Sequence, residues 1–244
     1  MSTCWAFTLA YQEATLIPYW VKHYRAFCER VLVYVDDASD DGTASLAAEA
    51  GAEVRFHQTG GLDDIAFVRF AEEHYKEARG RADWVVWVDA DEFLYHPSIK
   101  ERLSTLKGQG VTLPQVQGYQ MVGEAPPSGP RPLVEQITKG LPAREYSKVC
   151  VFAPALEVAW EVGKHTANVA GAVVSGGGDD PLKLLHYRYL GHEWLTARNA
   201  RNYARMPEGN RANKHGVETY PGYEGMYGPA WYEAMAAQAV EVVP

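Results

Sequence analysis

Three carboxylates, Asp89, Asp91 and Glu92, fall within four positions in the stretch VDADEF at residues 88–93, directly after the apolar run Trp84-Val85-Val86-Trp87. Carboxylates this dense at the end of a buried run repel one another and resist leaving water, so either the stretch is a solvated turn or something positive holds it. Two aspartates one residue apart at a strand end place hard oxygen ligands around one Mg2+ or Mn2+, with phosphate and water oxygens to complete the shell. VLVYVDDASDDGTASLA (31–47) is built the same way: Asp36 and Asp37 end a β-branched run, and Ser39, Asp40 or Asp41 can cap the helix that follows Gly42. Capping uses one or two of those acids. A remaining carboxylate can accept a hydrogen bond from a nucleobase imide or a ribose hydroxyl.

The elements that must position these acids alternate. Strands are expected at Cys4–Leu9, Val31–Val35, Glu53–His57 and Trp84–Val88, and helices at Glu13–Cys28, Thr43–Ala50 and Asp63–Ala78. A strand apolar at every position is covered on both faces, and the β-α-β-α-β-α-β order predicts a doubly wound, mostly parallel sheet flanked by helices. Ligands of such sheets bind beyond the carboxyl ends of the strands, where Tyr11-Gln12-Glu13, Asp36-Asp37 and Asp89-Ala90-Asp91-Glu92 converge. The second half is less regular, with strand-like segments at Val116–Val122, Val149–Phe152, Val169–Val174 and Leu182–Leu185, and a helix at Trp194–Ala204. Arg198, Arg201 and Arg205 on that helix read as a solvated face, or as contacts for an acidic lipid or phosphate acceptor.

Composition narrows the class. The chain has 244 residues, 47% of them apolar, enough for one generous core. Its net charge of -8 disfavours nucleic acid as a partner. No run approaches the ~20 apolar residues of a membrane span, and the start lacks the pattern of a signal peptide. Cys4, Cys28 and Cys150 form no CxxC pair and read as free thiols. A cytoplasmic protein is expected, with room for peripheral membrane contact and for a homodimer.

LAYQEA, then VDDASDDGT, then WVVWVDADEF resemble, in order and spacing, the family 2-type glycosyltransferases of the GT-A fold. EYSKVCVFAPALEVAWEVGKHTA (145–167) and LLHYRYLGHEWLTARNAR (184–201) are similar to a bacterial branch related to family 92. The resemblance implies a single catalytic domain over 1–205, with a nucleotide-binding half (1–110), an acceptor-side half (111–205) and a C-terminal extension (206–244). It implies a metal-dependent, inverting transfer of a hexose from a nucleotide-diphosphate donor, UDP-sugar favoured, to a hydroxyl of a glycan, lipid-linked or small-molecule acceptor. Ala10, Tyr11, Glu13, Asp36, Asp37, Asp89 and Ala90 would cradle the nucleotide. Asp89 and Asp91, completed by His186, would bind Mn2+ or Mg2+. Lys148 and His165 would touch donor or acceptor. Family members carry Arg-Asn-Glu where this chain has Tyr11-Gln12-Glu13, which removes a positive charge at the base contact.

A general base must come from the acceptor side. Glu135 is the expected one, with Glu157, Glu161, Asp179 and Asp180 as rivals. Tyr220, Tyr223, Tyr227 and Trp231 lie among glycines in a tail that could close over a sugar, or pack the domain's own edge or a dimer partner. Two other functions share these features. A sugar-phosphate nucleotidyltransferase would need a glycine-rich basic loop that Leu9–Ala14 lacks, and a non-catalytic nucleotide-sugar-binding module would keep the fold without the chemistry.

Overall fold

The computed structural model of the chain describes residues 2–58, 60–214, 219–220 and 228–244. Tyr223 and Tyr227 of the tail lie outside the described residues.

The first half is the expected alternation: β1 (Cys4–Ala10), α1 (Ile17–Arg25), β2 (Arg30–Asp36), α2 (Thr43–Glu49), β3 (Glu53–His57), α3 (Asp64–His74) and β4 (Trp84–Trp87). These strands are parallel, in the order β3-β2-β1-β4. Successive side chains alternate between faces, and the core divides accordingly. Ala6, Val33, Val35 and Val86 pack with Trp20, Val21 and Tyr24 of α1, whereas Phe7, Leu32, Tyr34 and Trp87 pack with Val68, Phe70 and Ala71 of α3. Both faces are thus covered, as the unbroken apolar runs predict.

Beyond β4 the chain forms β5 (Glu92–Tyr95), α4 (Ile99–Gly108), β6 (Leu113–Pro114), β7 (Val116–Gly123), α5 (Leu133–Gln136), β8 (Lys139–Pro142), β9 (Val151–Phe152), β10 (Glu157–Trp160), β11 (Ala167–Ala170), β12 (Ser175–Gly176), β13 (Leu182–Leu190), α6 (His192–Ala204), α7 (Glu208–Ala212), α8 (Pro229–Ala236) and β14 (Val240–Glu241). Strand β9 adds antiparallel to β4 at the edge of the first sheet. A second, mixed sheet runs β14-β8-β7-β13-β5. No strand is expected from the sequence at Glu92–Tyr95, which follows directly on the acid turn. In the fold it pairs antiparallel with β13, Glu92 opposite His186. Strand β13 also extends past the expected Leu185 to Leu190, with a register break between His186 and Tyr189.

The neighbours of β1 are β2 on one side and β4 on the other, and connections leave in opposite directions from this point, which opens a crevice beyond the strand ends. A cleft of about 420 Å³ lies there, lined by residues from both strand ends, from the β10–β11 hairpin, from β13 and from α6. Among the described residues no helix is long and apolar enough to cross a membrane, and all three cysteines are free and buried.

Close approach beside the cleft depends on Gly118 of β7. A Cβ there would stand 2.3 Å from the Tyr146 carbonyl carbon and 2.5 Å from the Ala143 carbonyl oxygen. The 3-10 turn Arg144–Tyr146 therefore sits on this glycine, tied by the Ala143 amide donating to the Gly118 carbonyl at 2.9 Å. Gly118→Ala is expected to cost about 1–3 kcal/mol in urea denaturation, and to displace the Tyr146 ring, read as a change in near-ultraviolet circular dichroism.

Candidate active site

The first turn beyond β1 is stitched to the turn beyond β2. The amide of Gln12 donates to Ser39 Oγ at 2.8 Å, that of Glu13 to Thr43 Oγ1 at 2.8 Å and that of Ala14 to Asp41 Oδ2 at 3.0 Å, while Gln12 Nε2 donates to Asp40 Oδ1 at 2.7 Å. Asp40 and Asp41 are thus structural. Gln12 takes φ of 50°, a left-handed conformation uncommon without glycine, and these bonds hold it there. The result is that Tyr11 and Glu13 both line the cleft.

The three acids of the opening stretch are each met by a basic side chain of the protein itself. Glu92 is fully buried, and its Oε1 accepts from Lys148 Nζ at 2.6 Å while its Oε2 accepts from the Asp89 amide at 3.1 Å. It positions the turn from beneath. Asp89 pairs with Lys164. Asp91 Oδ2 lies 3.1 Å from Arg198 Nη2 and 3.2 Å from His186 Nε2. Burial disfavours the Asp91 carboxylate, but Arg198 and His186 outweigh that and hold the carboxyl well below the usual range. Asp89 shows the same balance, with Lys164 and Lys148 acting against desolvation.

The partners come from the second half, and two differ from the sequence reading. Lys148, expected to touch donor or acceptor, is 7% exposed; it shares the cleft wall but its ammonium is committed to Glu92, and the charge of Glu92 and Asp89 raises its pKa despite burial. Helix α6 is not a solvated face. Arg198, Arg201 and Arg205 recur along one side of it. Arg198 donates to Glu13 Oε1 at 2.7 Å, Arg201 Nη2 stands 3.8 Å from the same oxygen, and Arg205 pairs with Asp36 while its guanidinium lies over the Tyr11 ring at 3.3 Å. Arg205 thus places a positive charge beside Tyr11. The cue available in the sequence was the arginine spacing together with an excess of acids at the strand ends.

Several expected residues do meet. Ala10, Tyr11, Glu13, Asp89, Ala90, Asp91, Lys148, His165 and His186 line one cleft. Asp36 lies behind Arg205, and Asp37 is exposed on the turn; neither lines the cleft. Glu135 is not brought there. It is exposed on α5, where its carbonyl accepts from Arg131 Nη2 at 2.8 Å.

Among the described residues no three His, Cys, Asp or Glu side chains form a ready metal cluster. Asp91 and His186 adjoin, and Asp89 is turned to Lys164. The donor set nonetheless fits a divalent cation. His186 Nδ1 lies 2.7 Å from Gln120 Oε1, an acceptor, so Nδ1 donates; Nε2 faces the Asp91 carboxylate, where a proton on Nε2 makes the bond that helps hold Asp91 low and a cation could take that proton's place. Two acceptors facing across 3.2 Å need a proton or a cation between them. Mg2+ and Mn2+ take few protein ligands and complete their shells with phosphate and water oxygens. Arg198 Nη1 and Glu13 Oε2 are buried without hydrogen-bond partners among the described residues.

Burial pushes the Glu13 carboxyl up to about 7, with Arg198 opposing and Asp91 reinforcing the shift. The folded value lies above that of the unfolded chain, so stability present at low pH is lost as pH rises through about 7. Relative to Glu13→Gln, the wild type is expected to lose up to about 3 kcal/mol between about pH 5 and pH 8, measured by urea denaturation at each pH. Lys148→Met leaves Glu92 buried and unpaired and is expected to cost about 3–5 kcal/mol, most of it recovered in Lys148→Met/Glu92→Leu. Equal losses in the single and double variants would contradict the pairing.

No protein-family model matches the chain, and no curated protein matches it. Solved structures do match in part. A crystal structure of a mycobacterial protein is 24% identical, with a TM-score of 0.34, over 49% of this chain and 41% of that one. Glucosyl-3-phosphoglycerate synthase from Mycobacterium tuberculosis in complex with Mn2+, UDP-glucose and phosphoglyceric acid is 20% identical, with a TM-score of 0.34, over 49% of this chain and 44% of that one. The same enzyme with Mg2+ and UDP matches at 20% identity and a TM-score of 0.33 over the same shares. The chain spans less than half the length of each, and likenesses at this level say nothing of what it does.

Proposed function

We propose that the chain is a glycosyltransferase of the GT-A type, moving a hexose from a nucleotide-diphosphate donor, UDP-sugar favoured, to an acceptor hydroxyl with inversion, with Mn2+ or Mg2+ as cofactor. The observation that carries this is the mixed sign of one cleft wall at the β1/β4 crevice: Asp89 and Asp91 stand beside Lys164 and Arg198, whose Nη1 is buried without a hydrogen-bond partner among the described residues. A simple anion would be repelled by the carboxylates and a simple cation by the bases. A metal diphosphate carries both charges and suits both sets.

Asp89, Asp91 and His186 would hold the cation, which when bound supplies positive charge to a departing diphosphate. Arg198 and Lys164 stand ready to donate to phosphate oxygens, and Glu13 fixes Arg198 for that task. Ala10 and Ala90, small and buried, let the diphosphate approach the strand ends. The Arg205–Tyr11 stack, anchored by Asp36, offers a flat cationic surface to a nucleobase. Residues 1–110 would form the nucleotide half, 111–205 the acceptor half and 206–244 an extension, although the lysines and arginines that line the cleft, Lys148, Lys164, Arg188, Arg198 and Arg205, all come from beyond 110.

Calorimetric titration with UDP, GDP and dTDP, with and without Mn2+, tests this. One nucleotide is expected to bind only when metal is present. Asp89→Asn, at a half-exposed position, is expected to weaken that binding at least about tenfold, about 1.4 kcal/mol, with the thermal midpoint little changed. Failure of all three to bind with metal present, or binding indifferent to metal, would overturn the proposal.

A further inference from the structure

A second cavity of about 250 Å³ adjoins the cleft. Tyr146, His165 and Arg188 line both spaces and form their shared wall. On the far side of that wall stand Gln120, Tyr189 and Asn199.

His165 is held in one orientation. Its Nδ1 lies 3.0 Å from the Glu145 carbonyl oxygen. A carbonyl only accepts, so Nδ1 donates, and in the neutral ring Nε2 carries the lone pair. Tyr146 meets His165 at its edge, with centroids 5.4 Å apart and planes at 83°, and stacks on His186 at 4.1 Å and 25°. One ring therefore fixes His165 against a candidate metal ligand. Gly163 has φ of +83°, and a Cβ there would lie 3.2 Å from His165 Cδ2 and 3.7 Å from Nε2. The glycine leaves the Nε2 edge of the ring uncrowded.

We propose that the second cavity seats the acceptor, a neutral sugar or similar polyhydroxy compound, and that His165 Nε2 takes the proton of its attacking hydroxyl. This rests on the glycosyl-transfer function proposed above. The acceptor oxygen forms a bond to the anomeric carbon, the bond from that carbon to the diphosphate oxygen breaks, the nucleoside diphosphate leaves with the electron pair, and the hydroxyl proton passes to Nε2. An oriented base that lines both spaces meets the geometric requirement that Glu135, which lines neither, does not.

The cavity's chemistry selects the acceptor class. Gln120, whose Oε1 accepts from His186, can donate to a hydroxyl through Nε2, and the Tyr146 and Tyr189 rings suit the apolar face of a sugar. Arg188 already donates to Asn199 Oδ1 at 2.8 Å and faces the charge of Asp91, so it is not an open seat for a phosphate. The volume equals the liquid share of about eight waters, room for a single ring.

The test uses the whole chain, with UDP-glucose, UDP-galactose and UDP-N-acetylglucosamine as donors and methyl glycosides as acceptors. Metal-dependent UDP binding in the wild type reports on the transferase function itself, and its absence overturns that function and this inference together. Where UDP binds, His165→Gln, at an exposed position, is expected to lower UDP release from the donor about 10²–10⁴-fold, with UDP affinity within about twofold of wild type, and imidazole should partly restore His165→Ala. Release within about threefold of wild type, or loss of UDP affinity along with release, overturns His165 as the base and leaves donor binding standing. The acceptor seat is read without turnover, from the His165 imidazole proton resonance in the Mg2+–UDP complex. A saturable shift with a methyl glycoside, absent with inorganic phosphate, supports it. No shift with any glycoside overturns it.

Discussion

The Glu92 carboxylate and the Lys148 ammonium meet at 2.6 Å with almost no access to water. Much of the site depends on this pair. Glu92 opens β5 and so joins the first sheet to the second, and its Oε2 receives the amide of Asp89. Lys148 leads into β9, which closes the edge beside β4. A buried pair of this kind adds little net stability compared with apolar packing, but either partner alone is costly, so the two halves of the chain are bound to one geometry at the acid turn.

Above that pair the charges interleave. Asp89 faces Lys164, Asp91 faces Arg198 and His186, Glu13 faces Arg198 and Arg201, and Asp36 faces Arg205. The acids come from the strand ends of the first half and the bases from the hairpin, β13 and α6 of the second. Acids so close are tolerated at a buried strand end because the chain supplies its own counter-charges, before any cation from solution is considered. The arrangement leaves Arg198 Nη1 and Glu13 Oε2 without hydrogen-bond partners among the described residues. In a folded protein such groups are few, and here one of each sign faces a single cleft.

The register of β5 on β13 carries a second consequence. Glu92 opposite His186 sets the imidazole beside Asp91, whose carbonyl accepts the Tyr187 amide at 2.7 Å. Tyr146, seated on Gly118, then stacks on His186 and meets His165. A glycine in β7 thus orders the wall between the two cavities through a single aromatic ring.

The doubly wound sheet, its strand positions and the convergence of polar strand ends were legible in the sequence. Apolar runs and helical periodicity are local properties, and parallel strands joined by helices leave little choice of layering. So was the meeting of Glu13, Asp89 and Asp91, which follows from the strand ends, whereas His186 joined them only through the family resemblance. The inward face of α6 was not. Arginines three and seven residues apart look the same on a solvated helix as on one covering an acidic cleft, and only the packing of α6 over β1 and β2 ends separates the two cases. Nor could local signals place β5, pair Lys148 with Glu92, leave Glu135 in solvent or set His165 on the Glu145 carbonyl. Those are contacts between residues far apart in the chain. They are set by sheet register and by the burial of opposite charges against each other, which only the tertiary structure decides.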